Sequence, residues 1–319
     1  MQNLSAFPNL DYLVEGRRYP VCILGGDRFV DWFLHTRPIQ LNTDYTFKIM
    51  RLSYESGVWG FDISCRFNLI NAFKKLKDRF PEAIGIGNPN WLCGYKLKNT
   101  NLWDIKDRVV LTMIQKLSRE NKSLKNLVAK IPESHNSRLI IKKGTQPLTD
   151  NEIKRIYIDE QVWLDRINLL QGVVDFCLIG ADYADWMCGL NRLDLIRWQI
   201  ETVRRNGMIP VSVSHLSSIT IPLLDKEDFG AHWVYANRAW MYLDPELAAD
   251  AIRVAAKPIT AFKILSNIQL PDEIEPTIRD LRKLGVKSFV VGLENPEHIK
   301  YTLPRVMNAL ISISRENNN

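Results

Sequence analysis

The chain contains no C-x-x-C pair. Its five cysteines, Cys22, Cys65, Cys93, Cys177 and Cys188, are scattered, and none stands at metal-like spacing from the five histidines. That excludes a disulfide scaffold or zinc ribbon and points to the reduced thiols of an intracellular protein. No apolar run reaches about 18 residues, so nothing reads as a membrane-spanning helix. The first residues lack a basic region followed by an apolar stretch, the mark of a secretory signal. A cytoplasmic chain without a membrane partner is therefore expected. Nor does a G-x-G-x-x-G turn follow the first apolar strand: Gly25-Gly26-Asp27 is too short a match. Phosphate-loop and zinc-protease motifs are missing as well.

What remains is the composition of a folded, soluble chain, with 46% hydrophobic and 24% charged residues in 319. The net charge of +6 invites an acidic partner. The basic residues are dispersed, however, and the densest groups, Lys74 to Lys77 and Arg119 to Lys130, fall on helix-like segments. They read as solvated helix faces, and no nucleic-acid motif accompanies them, so a nucleic-acid partner is not expected.

A short apolar run followed by an amphipathic helix recurs along the chain. Candidate strands are Val21–Gly25, Val58–Asp62, Ala83–Gly87, Val174–Gly180, Pro210–Ser214, Ala231–Ala236, Pro258–Ile264 and Lys287–Gly292. Helix patterns cover Asp44–Ser56, Phe67–Phe80, Leu190–Asn206, Asp244–Ala256, Glu273–Leu284 and Pro296–Ile313, several of them stopped by Gly or Pro. Apolar strands without polar alternation, separated by helices, indicate a parallel sheet covered by helices. Eight such units favour an α/β fold of the closed (β/α)8 TIM-barrel type, one domain over residues 1–319. About 85 residues between the third and fourth strands, 88–173, exceed what one unit needs. Helix-like Asp104–Ile131 and Asp150–Leu170 flank the strand-like Arg138–Lys142, and the region reads as an insertion or lid at the catalytic face.

Active groups of such barrels sit at the C-terminal ends of the strands. Those ends carry Asp27, Asp62, Asn88, Asp182, His215, Asn237, Lys263 and Glu294, a polar side chain at every one. His215, the histidine among them, is the natural proton shuttle near neutral pH. Asp62 and Asp182 are placed to orient it, to hold a substrate hydroxyl or to bind a divalent metal. Period-two alternation sets Ile259, Ala261 and Lys263 on one face and aims the lysine into the barrel mouth. An ion pair with Glu294, a contact with a substrate anion and an imine-forming nucleophile all remain open for it. Asp27, Asn88, Asn237 and Glu294 complete a polar rim for a small-molecule substrate. Tyr183 and Trp186, with Trp32, Trp91 and Trp240, supply either an aromatic wall or packing. The sequence leaves a homo-oligomer open.

Short stretches spread over most of the chain carry a resemblance. Cys22-Ile-Leu-Gly-Gly-Asp-Arg-Phe29, Gly189-Leu-Asn-Arg-Leu-Asp-Leu-Ile196, Arg204-Arg-Asn-Gly-Met-Ile-Pro210 with Ser214-His215, and Lys257-Pro-Ile-Thr-Ala-Phe-Lys-Ile-Leu265 resemble the "ILGGNPF", "GRLDE", "RDAGLP…GH" and "KPVIAFKVL" segments of an uncharacterised family of TIM-barrel proteins. That family distantly resembles aldo-keto reductases, whose last two strands bind the phosphates of a nicotinamide cofactor. The resemblance implies a barrel, places Asp62 where those enzymes carry a catalytic aspartate, and admits NADPH or flavin as cofactor. The chain departs from their catalytic tetrad: Phe67 replaces the tyrosine, Gly87-Asn88 lacks the lysine and Gly180-Ala-Asp182 lacks the histidine. The residues by themselves favour acid/base chemistry next to a carbonyl, of lyase or isomerase type. An oxidoreductase and a non-catalytic binding barrel are the alternatives.

Overall fold

The computed structural model describes residues 10–26, 42–89, 94–120, 141–236, 244–265, 271–293 and 295–316. The eight expected strands close into a barrel. They are β3 (Cys22–Leu24), β4 (Gly60–Ser64), β5 (Ile84–Asn88), β9 (Phe176–Gly180), β10 (Ile209–Ser214), β11 (Ala231–Tyr235), β12 (Ile259–Phe262) and β13 (Val286–Val291), with β13 returning to pair with β3. Every neighbouring pair is parallel. Alternation divides each strand between two cores. Ile23, Ile86, Phe176, Leu178, Val211, Val213, Trp233 and Val290 fill the barrel. Phe61, Ile63, Cys177, Ile179 and Val234 face the surrounding helices.

The floor of the barrel is a feature the sequence reading overlooked. β1 (Asp11–Val14) and β2 (Arg17–Pro20) form an antiparallel hairpin whose Glu15-Gly16 turn has φ of 49° and 77°, the backbone twist a two-residue hairpin needs. The hairpin carries Tyr12 and Tyr19 under the strands. The Trp233 indole N–H donates to the Tyr19 hydroxyl over 2.6 Å, and that hydroxyl lies 3.2 Å from Thr260 Oγ1. Tyr12 and Ser288 share a hydrogen bond of 2.9 Å, and Ser288 also donates to the Pro20 carbonyl. The polar groups at the strand starts are thus satisfied by the plug.

Helices follow the strands. α1 (Thr43–Glu55) is capped by Asn42, which accepts from the Tyr45 amide, and ends before Gly57 at φ 96°. α2 (Phe67–Arg79) follows β4. Within the insertion a second hairpin, β6 (Tyr95–Leu97) and β7 (Thr100–Asn101), pairs with β8 (Tyr157–Ile158). α3 (Lys106–Glu120), α4 (Asp150–Lys154) and α5 (Glu160–Leu170) complete the described part. The expected strand Arg138–Lys142 lies outside the described residues except for its last two positions, which are not in a strand. The expected helix Asp150–Leu170 is two helices interrupted by β8.

Two further helices were not anticipated. α6 (Asp182–Gly189) precedes α7 (Leu193–Arg205), where a single helix from Leu190 was expected. α8 (Ser217–Leu224) follows β10; its β-branched run and internal Pro222 hide it from a helix pattern. α9 (Pro245–Val254), α10 (Ile274–Lys283), α11 (Pro296–Tyr301) and α12 (Leu303–Glu316) close the chain, the last two dividing at Thr302 what read as one helix.

One expectation about side-chain direction is reversed. Ile259 and Ala261 face the outer helices, while Phe262 packs with the barrel interior and Thr260 reaches Tyr19 there. A lysine continuing the row of Ile259 and Ala261 would point outward. The strand instead ends at Phe262, and Lys263 takes a left-handed φ of 57°, which breaks the alternation.

Candidate active site

The C-terminal ends of β9, β10, β11 and β12 converge on His215. β10 stays inward-facing through Val211 and Val213 and delivers His215 just past its end, 6% exposed. Beside it, the chain leaves β9 through Gly180 at φ 122° and Ala181 at φ 57°, ψ −134°. A Cβ on Gly180 would stand 2.4 Å from the Ala184 Cβ and 2.6 Å from the Val213 carbonyl oxygen, so only glycine admits this turn. α6 then starts at Asp182 and places Asp182 and Asp185 three residues apart, on one helix face.

Asp185 is the partner of His215. Its Oδ2 lies 3.0 Å from His215 Nδ1, and its two oxygens accept from the His215 amide at 3.1 and 3.2 Å and from the Leu216 amide at 3.2 Å. A carboxylate 3% exposed is tolerable only with such a set of donors. Because a carboxylate only accepts, Nδ1 carries the proton of the neutral ring, and Nε2 is left with its lone pair. Asp182 Oδ1 stands farther from the same nitrogen, at 3.6 Å. The imidazole is flanked by aromatic rings: Tyr235 at 4.8 Å and Phe262 at 6.0 Å between centroids, themselves 4.4 Å apart. Lys263 Nζ lies 5.3 Å from the Tyr235 ring centroid, a cation over an aromatic face.

Asp62 is 4% exposed on the inward row of β4, where its Oδ2 accepts from the Gly26 amide over 3.1 Å. A Cβ on Gly26 would come within 2.2 Å of the Asp62 carbonyl oxygen, so the close approach of these strand ends requires a glycine. Asn88 ends β5 beside Ser64 of β4. Tyr183 and Trp186 take part in a ladder of rings with Tyr95 and Trp103 that packs the insertion on α6, at centroid spacings of 4.9, 5.0 and 5.9 Å. Asp27, Asn237 and Glu294, with Trp32, Trp91 and Trp240, lie outside the described residues. Asp185 and Tyr235 were not singled out in the sequence. The spacing Asp182-x-x-Asp185 at a helix start, and the inward row Ala231, Trp233, Tyr235, were the signals available.

The ligand atoms of Asp182, Asp185 and His215 lie within 4.8 Å of one another, the group of described residues suited to a metal ion. A cation there would have to displace the Nδ1 hydrogen bond, and both Asp185 oxygens already serve backbone amides. Asp62, expected to share such a site with Asp182, is not in the group. The nicotinamide cofactor implied by the sequence resemblance fits poorly at the end of β13. Asn295 Oδ1 accepts the His298 amide at the start of α11, Pro296 has no N–H, and Glu297 adds a negative charge to that first turn. Phe67, where a tyrosine hydroxyl would be needed, is a 72% exposed ring at the start of α2.

No helix of the described residues is long and apolar enough to cross a membrane. No family profile and no curated protein matches the chain. Solved structures do match in fold. An aldo-keto reductase from Pseudomonas aeruginosa covers 97% of this chain with 100% of its own, at 13% identity and a TM-score of 0.53. One from Brucella melitensis covers 96% with 98% of its own, at 9% identity and a TM-score of 0.50. One from Bacillus halodurans covers 93% with 93% of its own, at 11% identity and a TM-score of 0.50. The chain has the (β/α)8 barrel fold of aldo-keto reductases, at identities where likeness speaks for fold alone.

Proposed function

We propose that the chain is an enzyme that moves a proton at a carbon next to a carbonyl group, a lyase or isomerase acting on a small molecule in the barrel mouth. The observation that carries this reading is the His215–Asp185 pair, which fixes Nδ1 as a donor and leaves Nε2 as a base among the rings of Tyr235 and Phe262. Nε2 takes the C–H proton, and the imidazolium that forms is stabilised by the Asp185 carboxylate. The electron pair of the broken C–H bond moves onto the carbonyl oxygen, whose negative charge the Lys263 ammonium offsets. Return of the proton at the other face or carbon completes an isomerisation; departure of a leaving group from the next carbon completes an elimination. Asp62 and Asp182 accept from substrate hydroxyls.

The test is exchange of carbonyl-adjacent hydrogens with deuterium oxide, followed by NMR over a panel of oxo and hydroxy compounds. A substrate is expected to exchange with the native protein and to slow at least about 100-fold with His215→Asn. Equal rates for the two proteins on every exchanging compound would remove the reading.

An oxidoreductase is the second reading, supported by the barrel likeness to aldo-keto reductases over nearly the full chain. A melting temperature raised by NADPH or by a flavin would favour it. Indifference to both would end it.

A further inference from the structure

The helix that carries Asp185 is too short to hold itself in place. α6 has eight residues, fewer than the roughly 12 that an isolated helix needs, and no side chain caps its start. The barrel fixes where it begins, through the Ala181 amide, which donates to the Val213 carbonyl over 2.8 Å. Asp182 and Asp185 turn towards His215. Tyr183, Trp186 and Gly189, also three residues apart, form the neighbouring stripe about 100° round the helix. That stripe meets the insertion.

The insertion grips it at three points. The Tyr95 ring of β6 lies on the Tyr183 ring, with centroids 4.9 Å apart and planes 12° from parallel. The far end of the same ring is anchored, because the Tyr95 hydroxyl donates to Gln199 Oε1 of α7 over 2.7 Å. Trp103, in the 3-10 turn Leu102–Ile105, stacks on Trp186 at 5.9 Å. Met113 of α3 covers Gly189 so closely that a Cβ there would stand 2.2 Å from its Cγ. Just past the helix, Arg192 donates to the Ile153 and Ile156 carbonyls of the insertion, the second over 3.0 Å.

Rotation is the motion these contacts restrain. A carboxylate about 6 Å from a helix axis moves by about 2 Å when the helix turns by about 20°. Neither the 3.0 Å contact of Asp185 with His215 Nδ1 nor its bonds to the His215 and Leu216 amides would survive that displacement.

We propose that the insertion is a positioning device: Tyr95 and Trp103, acting through Tyr183 and Trp186, set the rotation of α6 and with it the alignment of Asp185 on His215. The inference rests on the proton-transfer reading of that pair. The rings that the sequence suggested for a ligand wall then serve the reaction without touching the substrate.

The experiment joins two measurements on the full-length protein. One is deuterium exchange of a compound that the native protein exchanges; the other is the imidazole Nδ1–H resonance of His215 by proton–nitrogen NMR, assigned by its loss in His215→Asn. Tyr95→Leu removes the ring stacked on Tyr183, and Tyr95→Phe keeps it. Trp103→Leu alters a ring that is 45% exposed, and it decides the matter if Tyr95→Leu does not fold. Both leucine variants are expected to lower the maximal exchange rate by about 10- to 100-fold at unchanged KM. The Nδ1–H resonance moves upfield in both, as its hydrogen bond lengthens, and Tyr95→Phe keeps the native position. A merely structural role would reduce the folded fraction and leave the resonance of the folded molecules where it was. An unmoved resonance in the leucine variants, or a rate that falls only in step with the folded fraction, would overturn the proposal. If the native protein exchanges no compound of the panel, the proton-transfer reading falls and the resonance alone decides the positioning.

Discussion

At the scale of single residues, Asp185 links structure and chemistry. Its carboxylate holds the His215 and Leu216 amides, and so fixes the chain where β10 passes into α8, while also setting the His215 tautomer. Asp185→Ala leaves these buried donors without an acceptor and is expected to destabilise the fold by about 3 kcal/mol. Urea denaturation measures this; a loss below about 0.5 kcal/mol would show the hydrogen bonds to be of little consequence. The sequence drew attention to His215 and Asp182 through their positions at strand ends. It could not rank Asp182 against Asp185, because the choice depends on how far the strained turn at Ala181 rotates the start of α6. Lys263 shows the same limit from the other side. Alternation aimed it into the mouth by putting Ile259 and Ala261 there as well; those two face outward, and a left-handed residue brings the lysine in.

At the scale of elements, the barrel strands were legible because each is a short apolar run set between helix patterns. The hairpin Asp11–Pro20 was not, since its strands are short and half polar: Arg17 and Arg18 lie on the outside, and only Tyr12, Val14 and Tyr19 turn inward. Its Glu-Gly turn was the available sign. Burial pushes the Tyr19 phenol up to about 12, so it stays a neutral hydroxyl that can donate and accept in the floor network. Tyr19→Phe removes the acceptor of the buried Trp233 N–H and the contact with Thr260. The expected loss is about 2 kcal/mol with an unchanged denaturant slope. An unchanged midpoint would mean that the plug sits loosely under the barrel. α8 escaped notice for a different reason: β-branched residues and Pro222 disfavour an isolated helix, and packing against the barrel overrides them.

At the scale of the whole molecule, a buried polar chain outside the barrel ties β10, β11, α8 and β12 together. His232 Nδ1 lies 2.6 Å from Ser212 Oγ, and its Nε2 lies 3.1 Å from Asp225 Oδ1. Asp225 in turn accepts from the Ala256 and Lys257 amides. Burial lowers the His232 pKa to about 4, against the pull of Asp225. A histidine held neutral in the folded state contributes its full stability above its ordinary pKa near 6.5. That contribution falls as pH drops from there towards about 4, because the unfolded chain takes up the proton first. Asp225, whose amide and histidine partners outweigh its burial and lower its pKa, acts in the same direction. Relative to a His232→Gln variant, the native protein is expected to lose on the order of 3 kcal/mol between pH 7 and pH 4. Parallel stability curves for the two would show that the histidine does not drive the acid sensitivity.

The eight barrel strands and their order were legible in the sequence, but the insertion was read only in outline. Its described hairpin lies at 95–101, with a turn of Lys98 and Asn99. The aromatic rings expected at a ligand wall, Tyr183 and Trp186, stack on Tyr95 and Trp103 where the insertion meets α6. Neither contact is encoded in local spacing. In the proposed reaction His215 and Asp185 act as one proton-transferring unit. The most direct measurement is the deuterium exchange rate of a single substrate with the native protein, His215→Asn, Asp185→Asn and the double variant. Both single variants are expected to slow exchange, and the double variant is expected to be no slower than His215→Asn. Exchange by His215→Asn at the native rate would contradict it.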